Sequence, residues 1–455
     1  MGSLQKPIPM CSRASCSSRT RLLSSMPSAI VVGGGIAGLV MARDLVLGGF
    51  EVTLLEASDH LGGKIARHTV AGLVLDAGAE SFATRHDTVA HLARQLGLGS
   101  DIARPNPQGA WLQTAEGRAY PLPRTGILGI PGTPLAADVI EVVGFWAALR
   151  GQLDELMLGF VGSKERSLGR LVRRRMGRRV LEQLVAPVTL GIHSRHPDEL
   201  DVDVVAPGLR AAMLDTGSLA HAVRELRDAA PAGTAVSGIV GGMFELVEAL
   251  ARDLERFGVT VRLESPVTAV EASFVTLLDG QLLEADQVVL AAPLATTGQP
   301  DRTPAIVLAT LVVDAPELDG APRGTGVLVA RGSSDAPFRA KALTHATAKW
   351  DWLAERATPH RHVLRLSYDG AAAARVSDAQ LRGQALHDAG ELLGIALVEV
   401  SVVAFARVEW SAPSSRPEPI DGVTLIGEGV AGTGLAAVIA QVRVASGGLL
   451  EEVEA

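Results

Sequence analysis

At 455 residues the chain is too long for one simple core, and two or three domains are expected. A hydrophobic content of 47% with 49 glycines fits a large α/β protein rich in tight turns, and the net charge of −8 argues against a nucleic-acid partner. The only cysteines, Cys11 and Cys16, precede the first expected strand, which leaves the folded body without a disulfide, a thiolate metal site or a cysteine nucleophile.

Residues 1–28 carry Lys6, Arg13, Arg19, Arg21, eight serines and no acid. Organellar targeting segments have such a composition, but no amphipathic stripe accompanies it here. The stretch reads as a disordered tail, and whether Met1 or Met26 is the start is left open. A cytoplasmic protein is expected, with targeting by the tail as the lesser alternative. The longest uncharged runs, Ala29–Ala42 and Gly429–Val442, contain glycine and fall short of the ~20 apolar residues of a lipid-facing helix.

The stretch from Ala29 to Lys64 organises the rest. Ala29–Gly33 is a short β-branched run, a buried strand by pattern. It enters a G-x-G-x-x-G at Gly33, Gly35 and Gly38, where Ile36 and Ala37 open a helix that Gly48 and Gly49 end. Gly33 allows the tight turn, Gly35 lets the backbone approach a pyrophosphate, and Gly38 permits close helix–strand packing. The helix N-terminus offers N–H groups and a positive dipole end to phosphates. A second strand, Glu51–Leu55, ends at Glu56, an acceptor for ribose hydroxyls. The string Glu56-Ala57 followed by Gly62-Gly63-Lys64 resembles the FAD signature of the flavin oxidase superfamily that includes amine oxidases, phytoene desaturases and protoporphyrinogen oxidases. The resemblance implies FAD, and the absence of a later cysteine implies that it is non-covalent.

A hairpin over Ala66–Asp76 leads to Gly78-Ala79-Glu80-Ser81-Phe82, then to a helix from about Asp87 to Leu96. This string resembles one beside the flavin in the porphyrinogen oxidase family. Helical patterning follows, with Ser167–Gly177, Leu181–Pro187, Gly191–His193, Pro197–Leu200 and Thr216–Leu219 similar in order to that family's helical domain. The arginines at 173–175 and 178–179 read as a solvated helix face. A helix after Gly241-Gly242, a strand Val259–Leu263 and a hairpin around Asp279-Gly280 form a second instalment of the dinucleotide domain, in which the resemblance places Val267 beside the adenine. Strand-like runs at 305–313, 325–330, 340–346, 362–368 and 398–407 suggest an antiparallel sheet, and Ala346–Trp350 resembles a family Lys-Trp loop. The strand ending at Gly427 and the Gly434, Leu435, Ala436, Val438 segment look like the element that closes on the flavin. Gly427, Gly429 and Gly432 repeat the glycine spacing, but no strand with an acid follows, so no second nucleotide site is expected.

The fold expected is therefore α/β. An FAD-binding Rossmann-like domain of the amine-oxidase type is split by insertions over 29–85, 234–300 and 420–455. A mixed-sheet substrate domain takes 86–104 and 301–419, and a helical domain takes 105–233. The chain resembles flavin-dependent porphyrinogen oxidases of haem synthesis, nearest the bacterial coproporphyrinogen III oxidase branch. It departs from them in short segments between Pro293 and Pro304 and between Trp410 and Val423, and in Ser415, His193 and Val442 at positions the family fills otherwise.

What the resemblance implies is removal of six electrons from a porphyrinogen in three flavin cycles, with O2 as acceptor and H2O2 as product. Arg85 and His86, then Lys349, are the candidate cations for the substrate's propionates. No general base is identified and no metal constellation is found among the histidines. Protoporphyrinogen IX is the alternative substrate. A flavin amine oxidase is disfavoured, because the only tyrosines are Tyr120 and Tyr368. A non-catalytic FAD-binding protein is the remaining reading. Handover of product to a ferrochelatase and peripheral membrane contact are compatible partners, and the oligomeric state is left open.

Overall fold

A computed structural model describes residues 26–84, 87–114, 116–123, 126–193, 195–228, 236–294, 304–330, 340–411, 417–432 and 434–454. Its organising layer is a five-stranded sheet in the order Thr260–Arg262, Glu51–Leu55, Ser28–Val32, Gln287–Leu290, Val423–Leu425. Every pairing in it is parallel. Parallel strands bury both faces, which is why these segments read as continuous apolar runs. Successive side chains point to opposite sides. Ala29 and Val31 enter a core with the helices Ile36–Leu47, Phe244–Arg256 and Leu435–Glu454. Ile30 and Val32 enter another with the antiparallel sheet of Val267–Val270, Phe274–Leu277 and Leu282–Glu284. Distant stretches of chain thus build one Rossmann-like unit, the split α/β fold expected.

The second sheet has seven strands, in the order Val402–Ser411, Pro304–Asp314, Arg361–Asp369, Ala342–His345, Gly326–Val329, Trp111–Gln113, Ala119–Pro121. One pairing, Gly326–Val329 with Trp111–Gln113, is parallel, so the sheet is mixed. From the strand Pro304–Asp314, Val307, Ala309, Leu311 and Val313 face the helix Asp378–Leu393. Val312 points the other way, onto Val70, Leu73 and Leu75 of the hairpin Arg67–Val70/Leu73–Asp76, with Trp350 and Val363. The hairpin that follows the glycine turn is therefore pressed against the second sheet.

Two expected boundaries differ. The helix Thr88–Gln95, assigned above to the substrate domain, buries Val89, Ala90, Leu92 and Ala93 in the core of the parallel sheet, against Ile439 and Val442. The segments at 111–121, assigned to the helical domain, are the last two strands of the seven-stranded sheet, with Ala119–Pro121 at its edge. In both cases the deciding partner lies hundreds of residues away.

The helical unit packs Ala137–Val143, Phe145–Gln152, Leu168–Met176, Leu209–Thr216 and Leu219–Asp228 around one apolar cluster. The expected solvated arginine face holds only in part. Arg173 and Arg174 are exposed and pair with Asp198 and Glu165, but Arg175 is fully buried. Its guanidinium pairs with buried Asp154 and donates to the carbonyls of Leu158 at 2.9 Å and Gly217 at 2.8 Å. The other oxygen of Asp154 accepts from Ser218 Oγ at 2.6 Å and Ala220 N at 2.8 Å. Among the described residues, no helix is long and apolar enough to cross a membrane.

Candidate active site

The glycine turn is built as its chemistry requires. Gly33 has φ +106°, a conformation glycine adopts without strain, and a Cβ on Gly38 would collide with the Gly33 carbonyl oxygen. Gly35 differs, since a Cβ there would meet nothing within 4 Å. Protein packing therefore does not demand glycine at this position, whereas a group approaching the backbone would. Gly35 caps the helix Ile36–Leu47 without any side-chain bond, which leaves the first-turn N–H groups of Ile36, Ala37 and Gly38 directed at the same space.

The other segments converge on this turn. Glu56 Oε2 accepts from Gly34 N at 2.6 Å, and its Oε1 accepts from Ser58 N at 2.8 Å and Ser58 Oγ at 2.7 Å. The acid is thus locked beside the turn, with Ala57 exposed next to it. Gly62 N donates to the Gly34 carbonyl at 2.9 Å, and Gly62 and Gly63 both have positive φ. A Cβ on Gly63 would lie 3.4 Å from Gly35 Cα. From the C-terminal segment, a Cβ on Gly427 would stand 3.5 Å from Ala37 Cβ. Lys64 Nζ pairs with Glu428 at 2.6 Å, so the last instalment of the domain is tied to the first. Gly434 has φ +117° and open space at its Cβ position. It precedes the helix Leu435–Glu454, whose first turn carries Leu435 and Ala436 at half-buried positions and Val438 in the core. Gln441 steadies the approach, accepting from Gly427 N at 3.2 Å and donating to the Leu425 carbonyl at 3.3 Å. The sequence singled out neither Gln441 nor Glu428, although Gln441 is the only polar residue from 435 to 442.

The loop Ala77–Ser81 joins the hairpin to this centre. Ala77 N donates to the Ala66 carbonyl at 2.8 Å, and a Cβ on Gly78 would collide with the Lys64 carbonyl oxygen. Two of the residues singled out in the sequence meet here. Glu80, expected to touch the cofactor, has both carboxylate oxygens engaged by cations: Lys349 Nζ at 2.5 Å and Arg365 Nη1 at 3.4 Å. Lys349, expected to be free for a propionate, is committed to Glu80 and lies 5.0 Å from the Trp350 ring centre. Burial alone would raise the Glu80 carboxyl, but the two cations outweigh it and hold it below the ordinary value. Val267 puts its side chain into the core with Ile30 and Leu55. Ser81 is half-buried beside Glu80. Arg85, His86 and Ser415 lie outside the described residues, as does the side chain of His193.

Charge gathers behind this loop. Asp76 accepts from Met243 N at 3.0 Å and Phe244 N at 3.1 Å, at the start of the helix Phe244–Arg256. Desolvation pushes its carboxyl up to about 7, against the opposing pull of those two N–H groups and Arg365. Burial, then Arg365, pushes His68 down to about 4. None of Asp76, His68 or Arg365 stood out in the sequence.

The arrangement is a dinucleotide cradle assembled from three chain segments and facing a loop anchored to a second sheet. Its glycine turn, locked acid and paired helix N-termini fit FAD. Residues 36–434 match the flavin containing amine oxidoreductase family. Over 421 residues the chain is 30% identical to a coproporphyrinogen III oxidase of Mycobacterium bovis, covering 88% of this chain and 90% of that one. A coproporphyrinogen III oxidase of Staphylococcus aureus is 28% identical over 373 residues, 75% of this chain and 78% of its own. A crystal structure of a proposed protoporphyrinogen oxidase from Exiguobacterium sp. 255-15 superposes with a TM-score of 0.76 at 25% identity, covering 94% of this chain and 99% of that one. The chain belongs to the flavin containing amine oxidoreductase family and is an FAD-dependent oxidase within it.

Proposed function

We propose that this enzyme oxidises a porphyrinogen in haem biosynthesis, with coproporphyrinogen III as the substrate. The observation that carries the reading is the 30% identity, over 88% of the chain, to a relative bearing that activity in its name. When bound, FAD supplies the two-electron acceptor, and three rounds remove six electrons and six hydrogens from the macrocycle. With O2 as the final acceptor, three O2 become three H2O2. The protein's part is positional. The turn at Gly33–Gly38 and the helix starting at Ile36 would hold the pyrophosphate, while Glu56 fixes the turn and would offer its remaining acceptor capacity to the ribose. The N–H groups at the start of the helix Leu435–Glu454 would add to this anion-binding surface. The seven-stranded sheet forms the wall against which a flat macrocycle is oriented and shielded from water. Arg85 and His86 are the cations proposed for its propionates. A cytoplasmic location belongs to the same reading.

The test is direct. Purified protein is mixed in air with coproporphyrinogen III, and porphyrin fluorescence and peroxide are followed against an autoxidation blank, with protoporphyrinogen IX in parallel. Faster porphyrin formation from coproporphyrinogen III supports the proposal. A preference for protoporphyrinogen IX moves the substrate to the second porphyrinogen, a reading favoured by the likeness to the Exiguobacterium structure. No fluorescence above the blank with either sinks the reading.

A further inference from the structure

We propose that Glu80, with Lys349 and Arg365, is a positioning residue that fixes the Ala77–Ser81 loop between the cofactor cradle and the seven-stranded sheet. Three observations converge. The first is that the loop is bound on both sides. Towards the cradle, Ala79 N donates to the Lys64 carbonyl at 3.4 Å, directly after Gly62 and Gly63. Towards the sheet, Arg365 donates to the carbonyls of Ala77 and Gly78, and Trp410 Nε1 donates to Ala77 at 3.1 Å.

The second is electrostatic. Side-chain exposure is 16% for Glu80, 14% for Lys349 and 10% for Arg365. Removing Glu80 from so enclosed a set leaves two cations without their anion, which ties the position of the loop to that of the two cations. The third is a small, mainly apolar cavity of about 20 Å³ whose lining also includes Asp76, Glu80, Thr310, Trp352 and Arg365, and among these residues Thr310 Oγ1 and Trp352 Nε1 are buried without a partner. Its size matches a single water, which would join these donors to the carboxylates. The loop is therefore held from both sides, by Lys64 of the cradle segment and by Arg365 and Trp410 of the seven-stranded sheet. The inference rests on the flavin assignment and not on the identity of the porphyrinogen.

The experiment compares holoenzymes carrying Glu80→Gln, Lys349→Met, Lys349→Arg and Trp410→Phe with the parent chain. FAD affinity is titrated, the visible absorbance and circular dichroism of the bound flavin are recorded, and kcat and KM are measured separately. Glu80→Gln and Lys349→Met are expected to weaken FAD binding about 10-fold, to shift the flavin band, and to lower kcat more than they raise KM, because small displacements at a reacting centre act on rate. Lys349→Arg keeps the charge and restores most of each property. Should Glu80→Gln fail to fold, Trp410→Phe carries the test, since it removes the donor to Ala77 while keeping an aromatic ring at that position. A fall in melting temperature with unchanged spectrum, affinity and kcat in these variants overturns the proposal and leaves the cluster a structural support. The titration and spectra need no porphyrinogen, so failure of the substrate reading is separately visible.

Discussion

Two buried charge clusters in this chain use the same chemistry to different ends. Arg175 and Asp154 sit inside the helical unit, both wholly buried, with every partner drawn from residues 154–220. Glu80, Lys349 and Arg365 are slightly open to solvent and join positions separated by 269 and 285 residues. The first cluster is satisfied within one core and specifies how helices pack. The second spans two units and specifies how a loop sits against a cofactor cradle. A buried ion pair is thus no index of function by itself; what its partners belong to decides.

That contrast can be broken experimentally. Arg175→Met leaves Asp154 buried without its cation, and loss of one partner from such a pair typically costs about 3–5 kcal/mol. Urea melts should show that loss, while any folded protein binds FAD with an unchanged spectrum. A spectral change would place this cluster, too, in the service of the cofactor. Next in size is Gly35→Ala. Its Cβ meets no protein atom, so the melting temperature without FAD should hold while FAD affinity falls at least about 10-fold, as expected where backbone must approach a pyrophosphate. A stability loss without an affinity loss would contradict the cradle. The bridging cluster should show coupling, with the Glu80→Gln/Lys349→Met pair deviating from additivity by about 1–3 kcal/mol in a double-mutant cycle. Additive effects would mean that the two side chains act independently.

The contrast can also be probed through a pH dependence. Asp76 is raised from 3.8 to about 7, so between these values the folded chain holds a proton that the unfolded chain has released. Its contribution to stability is complete below pH 4 and is lost as pH rises through about 7. Asp76→Asn should flatten the stability profile across that window, read by denaturant melts at several pH values. An unaltered slope would show that Asp76 is ionised throughout, balanced by Arg365 and the start of the Phe244–Arg256 helix.

The glycine turn was legible because its constraints are local: a strand, three glycines, a helix and an acid must follow in order. The closing Gly427–Val438 element was legible by resemblance. The bridging cluster was not, since nothing near Glu80 in sequence announces Lys349 or Arg365, and Arg365 lies in a strand, Arg361–Asp369, that carries several other polar residues. The boundary errors at 88–95 and 111–121 have the same origin, because strand pairing such as Val327 with Trp111 is fixed by tertiary register. Arg175 is different, because its signal was present and unread. Leu168, Leu171, Val172, Arg175 and Met176 fall at helical spacing on one buried stripe, whereas Arg173 and Arg174 fall outside it.

The central claim is that this cradle holds FAD and passes porphyrinogen electrons to it. The decisive measurement is the visible spectrum of the purified chain under anaerobic addition of coproporphyrinogen III. The account predicts a yellow protein whose flavin band bleaches as porphyrin bands grow, and returns when air is admitted. A yellow protein that no porphyrinogen bleaches would contradict the proposed substrate, and a colourless protein that takes up no added FAD would contradict the cradle itself.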